Sequence, residues 1–184
     1  MPPRPLRTRD NQEVAFRYIA CSDGPALQAF NAGLSEKTRA RFLPHAYDDE
    51  TVRKVLGRTE DGTDYAVVLL HENTIIGYAF LWNMKESVPV LGIGITDAWQ
   101  GEGLGEPLMQ HLIDTAETEG RDGLILTTVP ENERAFALYQ KMGFLHTGDT
   151  ENVAGDGRTV REFVMFLPLT PGAKPPAHDF RPPV

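Results

Sequence analysis

The chain has 184 residues, with 18 Lys and Arg against 26 Asp and Glu, a formal charge of −8, 41% hydrophobic residues and one cysteine. That length suits one domain able to bury its own core, and a lone cysteine excludes an internal disulfide framework and points to a reducing compartment. The acidic balance argues against nucleic acid, whose phosphates demand a basic footprint, and no apolar run nears the roughly 18–20 residues of a membrane span.

The first residues, Met1 to Pro5, lack the apolar stretch of a secretory leader, so a cytoplasmic location is expected. The five histidines, His45, His71, His111, His146 and His178, stand singly, with no His/Cys pair at ligand spacing. No metal is expected. Residues 1–12 lack periodicity and residues 169–184 are proline-rich, so both are expected to be extended tails around a single domain at 13–168.

Within that domain, Val14–Ile19 reads as a strand. A helix follows Asp23-Gly24-Pro25, with Leu27, Phe30 and Leu34 on one stripe. Ser35 is placed to cap a short helix towards Phe42, and a third helix is expected from Asp49 to Leu56, stopped by Gly57. Tyr65–His71 and Thr74–Trp82 form a hairpin pattern around Glu72-Asn73. Val88–Ile95 is a strand with glycines at alternate positions 92 and 94, which suggests a bulge or close approach by another group.

A glycine-rich turn then leads into a helix from Glu106 to Glu119, carrying Leu108, Met109, Leu112, Ile113 and Ala116 inward. Leu124–Val129 is a short buried strand. Asn132–Met142 is a helix with Ala135, Leu138, Tyr139 and Met142 on one face, stopped by Gly143. Phe144–Asn152 and Thr159–Leu167 close the domain as a hairpin through Gly155-Asp156-Gly157. The order predicts a mixed α/β sheet with helices on both faces.

Chemistry concentrates in Gln100-Gly101-Glu102-Gly103-Leu104-Gly105, between a strand and a helix. Glycines there let backbone N–H groups converge, and the helix N-terminus adds about half a positive charge, which suits a phosphate or pyrophosphate. No Gly-Lys-Ser/Thr follows, so it is not a P-loop, and the alternating glycines do not fit the dinucleotide fingerprint. A glycine turn before a helix is also common with no ligand at all.

One strand later comes Glu131-Asn132-Glu133-Arg134-Ala135-Phe136-Ala137-Leu138-Tyr139-Gln140-Lys141-Met142-Gly143-Phe144. Together the two segments resemble the GCN5-related N-acetyltransferase (GNAT) superfamily. Its signature pairs a Gln/Arg-x-x-Gly-x-Gly/Ala loop with an Asn-x-x-Ala-x-x-x-Tyr-x-Lys-x-Gly-Phe helix. The resemblance is specific over about residues 88–146. It implies a mostly antiparallel α/β sheet, splayed at the cofactor site. It also implies an acetyl-CoA-dependent N-acetyltransferase working by direct attack of an amine on the thioester.

Carried onto this chain, the resemblance gives the amides of Gln100, Gly101, Gly103 and Gly105 to the pyrophosphate, with Leu104 and Glu106 in the same cradle. The strand ending at Ile95 would run along the pantetheine arm. The Ile93 amide would hydrogen-bond the thioester carbonyl as an oxyanion donor. Asn132 would touch pantetheine or pyrophosphate, and Tyr139 would protonate the departing thiolate. Each has a plainer alternative: Tyr139 as a core residue, Asn132 as a helix cap, and Arg134 and Lys141 as solvated charges rather than partners of the CoA 3′-phosphate.

Two features depart from the pattern. Glu102 and Glu106 put carboxylates beside an anion site, so binding must rest on backbone amides. Pro89 stands where some relatives carry a catalytic glutamate, and nearby Glu86 reads as an exposed loop residue. No base is evident. A lysine amine is neutral in only about one part in 2,500 at pH 7, whereas an α-amine near pKa 7.7–8.0 costs only about 1–1.4 kcal/mol to deprotonate. A low-pKa amine, on a small molecule or an N-terminus, is therefore favoured; the expected acceptor is a small molecule, with a protein N-terminus, or a non-catalytic acyl-CoA sensor, as alternatives. Cys21, without a His partner, is not expected to be a nucleophile. A homodimer is among the assemblies the resemblance allows.

Overall fold

The computed structural model describes residues 5–176. Its elements run β1 (Leu6–Arg7), β2 (Glu13–Tyr18), α1 (Gly24–Ala32), α2 (Glu36–Arg39), α3 (Asp49–Glu60), β3 (Tyr65–His71), β4 (Thr74–Trp82) and β5 (Val90–Ile95). Then follow α4 (Gly105–Thr118), β6 (Gly123–Thr128), α5 (Glu133–Lys141), β7 (Leu145–Val153) and β8 (Thr159–Pro168). The strands form one sheet in the order β1-β2-β3-β4-β5-β6-β8-β7. All neighbours are antiparallel except β5 and β6.

Alternation along β4 sorts the core into two layers. Ala79 and Leu81 face α4 and α5, packing with Leu108, Met109, Leu112 and Tyr139. Tyr78, Phe80 and Trp82 face α1 and α3, packing with Leu27, Phe30, Val52 and Leu56. Burial of both stripes is what fixes these helices on opposite sides of the sheet.

The one parallel pair is the feature that positions a site. Its pairing is confined to Val90 opposite Ile125, with the Ile125 amide donating to the Pro89 carbonyl at 3.1 Å. Beyond that point β5 continues to Ile95 and β6 to Thr128 without a shared ladder. The two strands part, and the sheet opens between them.

Several boundaries differ from expectation. Gly57 does not stop α3; the helix runs through it to Glu60, with the Asp48 carboxylate capping the amides of Glu50 and Thr51. A glycine inside a helix costs only about 1 kcal/mol, less than the packing of Val52, Val55 and Leu56 returns. Nor is β5 bulged, since its register with β4 is unbroken from Gly77–Ile95 to Trp82–Val90.

The glycines of β5 answer instead to aromatic rings. A Cβ on Gly92 would lie 2.1 Å from Phe80 Cζ, and one on Gly94 would lie 2.4 Å from Phe42 Cδ1.

The N-terminal segment is not wholly a tail. Leu6 and Arg7 pair with Val14 and Glu13, and the Arg9 amide donates to the Glu102 carbonyl at 2.9 Å. At the other end, the amides of Leu169 and Thr170 donate to the Asp122 carbonyl, and Ala173 packs beside Ile125, Val164 and Phe166. The outer parts of both expected tails, residues 1–4 and 177–184, lie outside the described residues.

Candidate active site

The opening between β5 and β6 has directional donors. The Thr96 amide donates to the Ile76 carbonyl of β4 at 2.9 Å. With β5 in unbroken antiparallel register, the amides of Gly94 and Gly92 also face β4. Those of Ile93 and Ile95 therefore face the gap. Both residues are half-buried against the α4/α5 layer. These are the two amides given above to the thioester carbonyl and the pantetheine arm, and neither has an acceptor on β6.

At the end of β5 the chain makes a short 3₁₀ turn and the glycine loop. Gly101 and Gly103 have φ of 95° and 83°, values that a Cβ makes costly. Among the described residues, no amide from Gly101 to Gly105 donates to an acceptor in the chain. Unpaired donors at the start of α4, with the helix dipole behind them, form an anion cradle. Leu104 joins it only by its backbone, because its side chain is buried in the core.

Gln100 departs from its expected part. Its amide donates to the Asp97 carbonyl at 3.3 Å. Its side-chain amide reaches the Ile95 carbonyl at 3.0 Å and Thr38 Oγ1 at 3.2 Å. Gln100 thus braces the loop rather than lending it an amide. Asp97 completes the brace by accepting from the Ser35 hydroxyl at 2.6 Å, the Ser35 amide at 2.9 Å and the Thr38 hydroxyl at 2.6 Å. Those bonds, led by the Ser35 hydroxyl, hold its carboxyl down at about 2. The loop and α2 are consequently tied together.

Charges around the cradle offset one of its two carboxylates. Glu106 is paired with Lys141 at 2.5 Å, so Lys141 is engaged and unlike Arg134 has a protein partner. The Arg134 guanidinium lies against Gly101, 3.4 Å from where a Cβ would stand. The stem of Arg9 lies against Gly103, 3.5 Å from the same construction. Among the described residues, neither guanidinium has a carboxylate partner. Two free cations therefore flank the cradle. Arg9 was hidden from sequence reading because it lies in a segment without periodicity.

Asn132 occupies the N-cap position of α5, yet its side chain makes no cap hydrogen bond. The amide group is left available to a ligand. Tyr139 is buried on the inner face of α5, 9% exposed. Burial first, and the charge of Glu162 second, push its hydroxyl up to about 12. Such a hydroxyl holds its proton throughout the neutral range, as a donor to a thiolate must.

On the opposite face of the sheet, next to the opening, lies a cleft of about 110 Å³. Phe42, Phe80, Trp82 and Gly92 wall one side, and Thr127, Asn152 and Glu162 the other. The tip of the β7–β8 hairpin closes its end. There the Gly155 amide donates to the Leu43 carbonyl at 3.0 Å, and a Cβ on Gly155 would meet the His45 carbonyl at 2.1 Å. Arg41 spans the mouth, donating to the Glu131 carbonyl at 3.1 Å.

Glu86 is exposed and takes no part in this cleft. Cys21 is exposed too, its thiol held up chiefly by its hydrogen bond to Glu60. Among the described residues no group of three or more His, Cys, Asp or Glu is arranged to hold a metal, and no helix is long and apolar enough to cross a membrane.

An opened mixed sheet and free amides at a helix start are the fold features that the resemblance implied, and a second cleft lies on the far face. Residues 32–144 match the family model described as Acetyltransferase (GNAT) family, and the chain belongs to that family.

Among curated relatives, an N-alpha-acetyltransferase RimI from Mycobacterium tuberculosis is 35% identical over 80 residues, 41% of this chain and 48% of that protein. A mycothiol acetyltransferase from Paenarthrobacter aurescens is 30% identical over 166 residues, 80% of this chain and 47% of that protein. The chain thus spans about half the length of each. Among solved structures, a ribosomal-protein-S5-alanine acetyltransferase from Vibrio fischeri superposes with a TM-score of 0.73 at 14% identity, covering 94% of this chain and all of that one. That likeness concerns the fold.

Proposed function

We propose that the protein transfers an acetyl group from acetyl-CoA to a primary amine, and that the acceptor is the α-amine at a peptide N-terminus. The observation that carries the reading is the set of unpaired amides from Gly101 to Gly105, flanked by the free guanidiniums of Arg9 and Arg134. Nothing among the described residues satisfies those donors, and a diphosphate supplies the acceptors and the charge they need. The donor substrate lies along the gap-facing edge of β5, with its thioester carbonyl at the Ile93 amide. Tyr139 gives its proton to the leaving sulfur.

The acceptor enters from the cleft on the other face. A compact cleft walled by Phe80 and Trp82 suits an amine head with a small side chain. An α-amine is also neutral far more often at pH 7 than a lysine amine. The likeness to an N-alpha-acetyltransferase supports a peptide acceptor rather than the small molecule expected from sequence.

A small-amine acceptor is the second reading, favoured by the longer match to a mycothiol acetyltransferase. Thiol release from acetyl-CoA, measured with peptides of free and blocked N-terminus beside a panel of small amines, separates the two. Turnover confined to free-N-terminus peptides is expected. Turnover confined to small amines overturns the peptide assignment.

A further inference from the structure

Three polar groups converge in the acceptor cleft, and the mechanism so far uses none of them. Asn152 is 8% exposed. Its Nδ2 donates to Glu162 Oε2 at 2.6 Å and to Thr127 Oγ1 at 3.3 Å. Its Oδ1 is buried and has no partner among the described residues. An unpartnered buried acceptor is costly unless a donor arrives from outside the chain.

The sheet register explains why these groups meet at the opening. Thr127 shares a face with Ile125 on β6, and Glu162 shares the same face with Val164 on β8. Val90 lies opposite Ile125, so Thr127 stands level with Gly92, one residue before the Ile93 amide. Tyr139 approaches the gap from the α5 side, close enough for Glu162 to bear on its hydroxyl. A carboxylate and a phenol thus face the same opening from the sheet's two sides.

Resting on the reading of an amine acceptor, we infer that Glu162 is the catalytic base, and that Asn152 and Thr127 form with it the subsite for the acceptor's ammonium group. The ammonium donates to the Asn152 Oδ1 and to the Glu162 carboxylate. Glu162 takes one proton and later releases it to solvent. The freed nitrogen lone pair forms the new C–N bond at the thioester carbonyl, and the C–S bond breaks. The sulfur receives the Tyr139 proton, and the second proton lost by nitrogen restores Tyr139. One amide, one free thiol and one solvent proton result, which balances the reaction. Asn152 also holds the Glu162 carboxylate in place, so it is a positioning residue as well as a binding one.

The test compares wild type, Glu162→Gln and Glu162→Asp by acetyl-CoA titration and by acetylation of a free-N-terminus alanine peptide from pH 6 to 9. Glu162→Gln preserves the shape and the Asn152 contact. All three proteins are expected to bind acetyl-CoA within twofold of one another. Glu162→Gln is expected to lose about 100-fold or more in kcat/KM at pH 6–7. Its deficit narrows as pH passes the amine's own pKa of about 7.7–8.0. Glu162→Asp keeps the wild-type pH profile at a reduced rate. Wild-type rates for Glu162→Gln across the whole pH range overturn the assignment. A wild type that binds acetyl-CoA and acetylates no amine overturns the transferase reading itself.

Discussion

The ring of Phe80 stands where a side chain on Gly92 would have to go, with Cζ 2.1 Å and both Cε atoms within 2.7 Å of the position a Cβ would occupy. Phe80 is buried and stacked on Trp82 at 4.1 Å between centroids. It has little freedom to retreat. The cleft beside the sheet opening is therefore shaped by a glycine on one strand and an aromatic on its neighbour.

Gly92→Ala is expected to destabilise the protein by about 1–3 kcal/mol through overpacking. At this chain length that lowers Tm by roughly 3–10 °C. Phe80 also walls the cleft, so the acceptor KM is expected to rise. Thermal melting and steady-state kinetics check both effects, and an unchanged Tm contradicts the packing described.

Tyr139→Phe removes the proposed proton donor and little else, because the ring remains in the core beside Phe144. It is expected to lower kcat by about 10²- to 10⁴-fold and to leave acetyl-CoA binding within about twofold. Since the hydroxyl sits up at about 12, the wild-type rate should show no alkaline fall from this group below about pH 11. Unaltered kcat in the variant removes its assigned role.

Arg9→Ala tests whether the N-terminal hairpin contributes to the cradle. The exposed guanidinium is screened by water and salt, so a loss of about two- to tenfold in acetyl-CoA affinity is expected at low ionic strength, shrinking as salt rises. Equal affinity of wild type and variant in low-salt titrations would confine Arg9 to a structural part.

His45 is almost fully buried, 1% exposed. Burial lowers its pKa, opposed by its bond to the Ala46 carbonyl. Half-buried His111, beside Tyr65, is lowered by burial as well. A histidine depressed in the folded state stabilises the protein above its unfolded pKa of about 6.5, and that stability is lost as pH falls through the folded value. Melting temperature should therefore decline below about pH 6.5, ahead of the carboxylate range. A flat curve down to pH 5 would contradict this.

What the sequence made legible follows physical periodicity. The stripe of Leu108, Met109, Leu112 and Ile113 and the paired runs around Glu72-Asn73 fixed helices and strands to within a residue or two. The loop Gly101–Gly105 was readable because backbone at the positive φ of Gly101 and Gly103 favours glycine. Gly92 and Gly94 were readable only as a departure; their cause lies in Phe80 and Phe42, 12 and 52 residues earlier.

The cleft proposed for the acceptor was less accessible, since it is assembled from β4 to β8 and the loop after α2. One signal did exist. Val160, Glu162, Val164 and Phe166 alternate onto one face of β8, which makes Glu162 a charge in an apolar row. Asn152 gave no such sign, lying in an exposed polar strand where burial comes only from its neighbours. Arg9 lay in a stretch without pattern, and its placement depends on the bond from its amide to Glu102.

Isothermal titration of acetyl-CoA into the wild-type protein and into Gly103→Ala tests the anion cradle most directly. A side chain at φ 83° costs roughly 1–2 kcal/mol or forces the loop's amides out of line. The account predicts a single saturable site in wild type and an affinity weakened about tenfold or more in the variant. No heat from wild type at millimolar acetyl-CoA, or equal affinity in the two proteins, would contradict it.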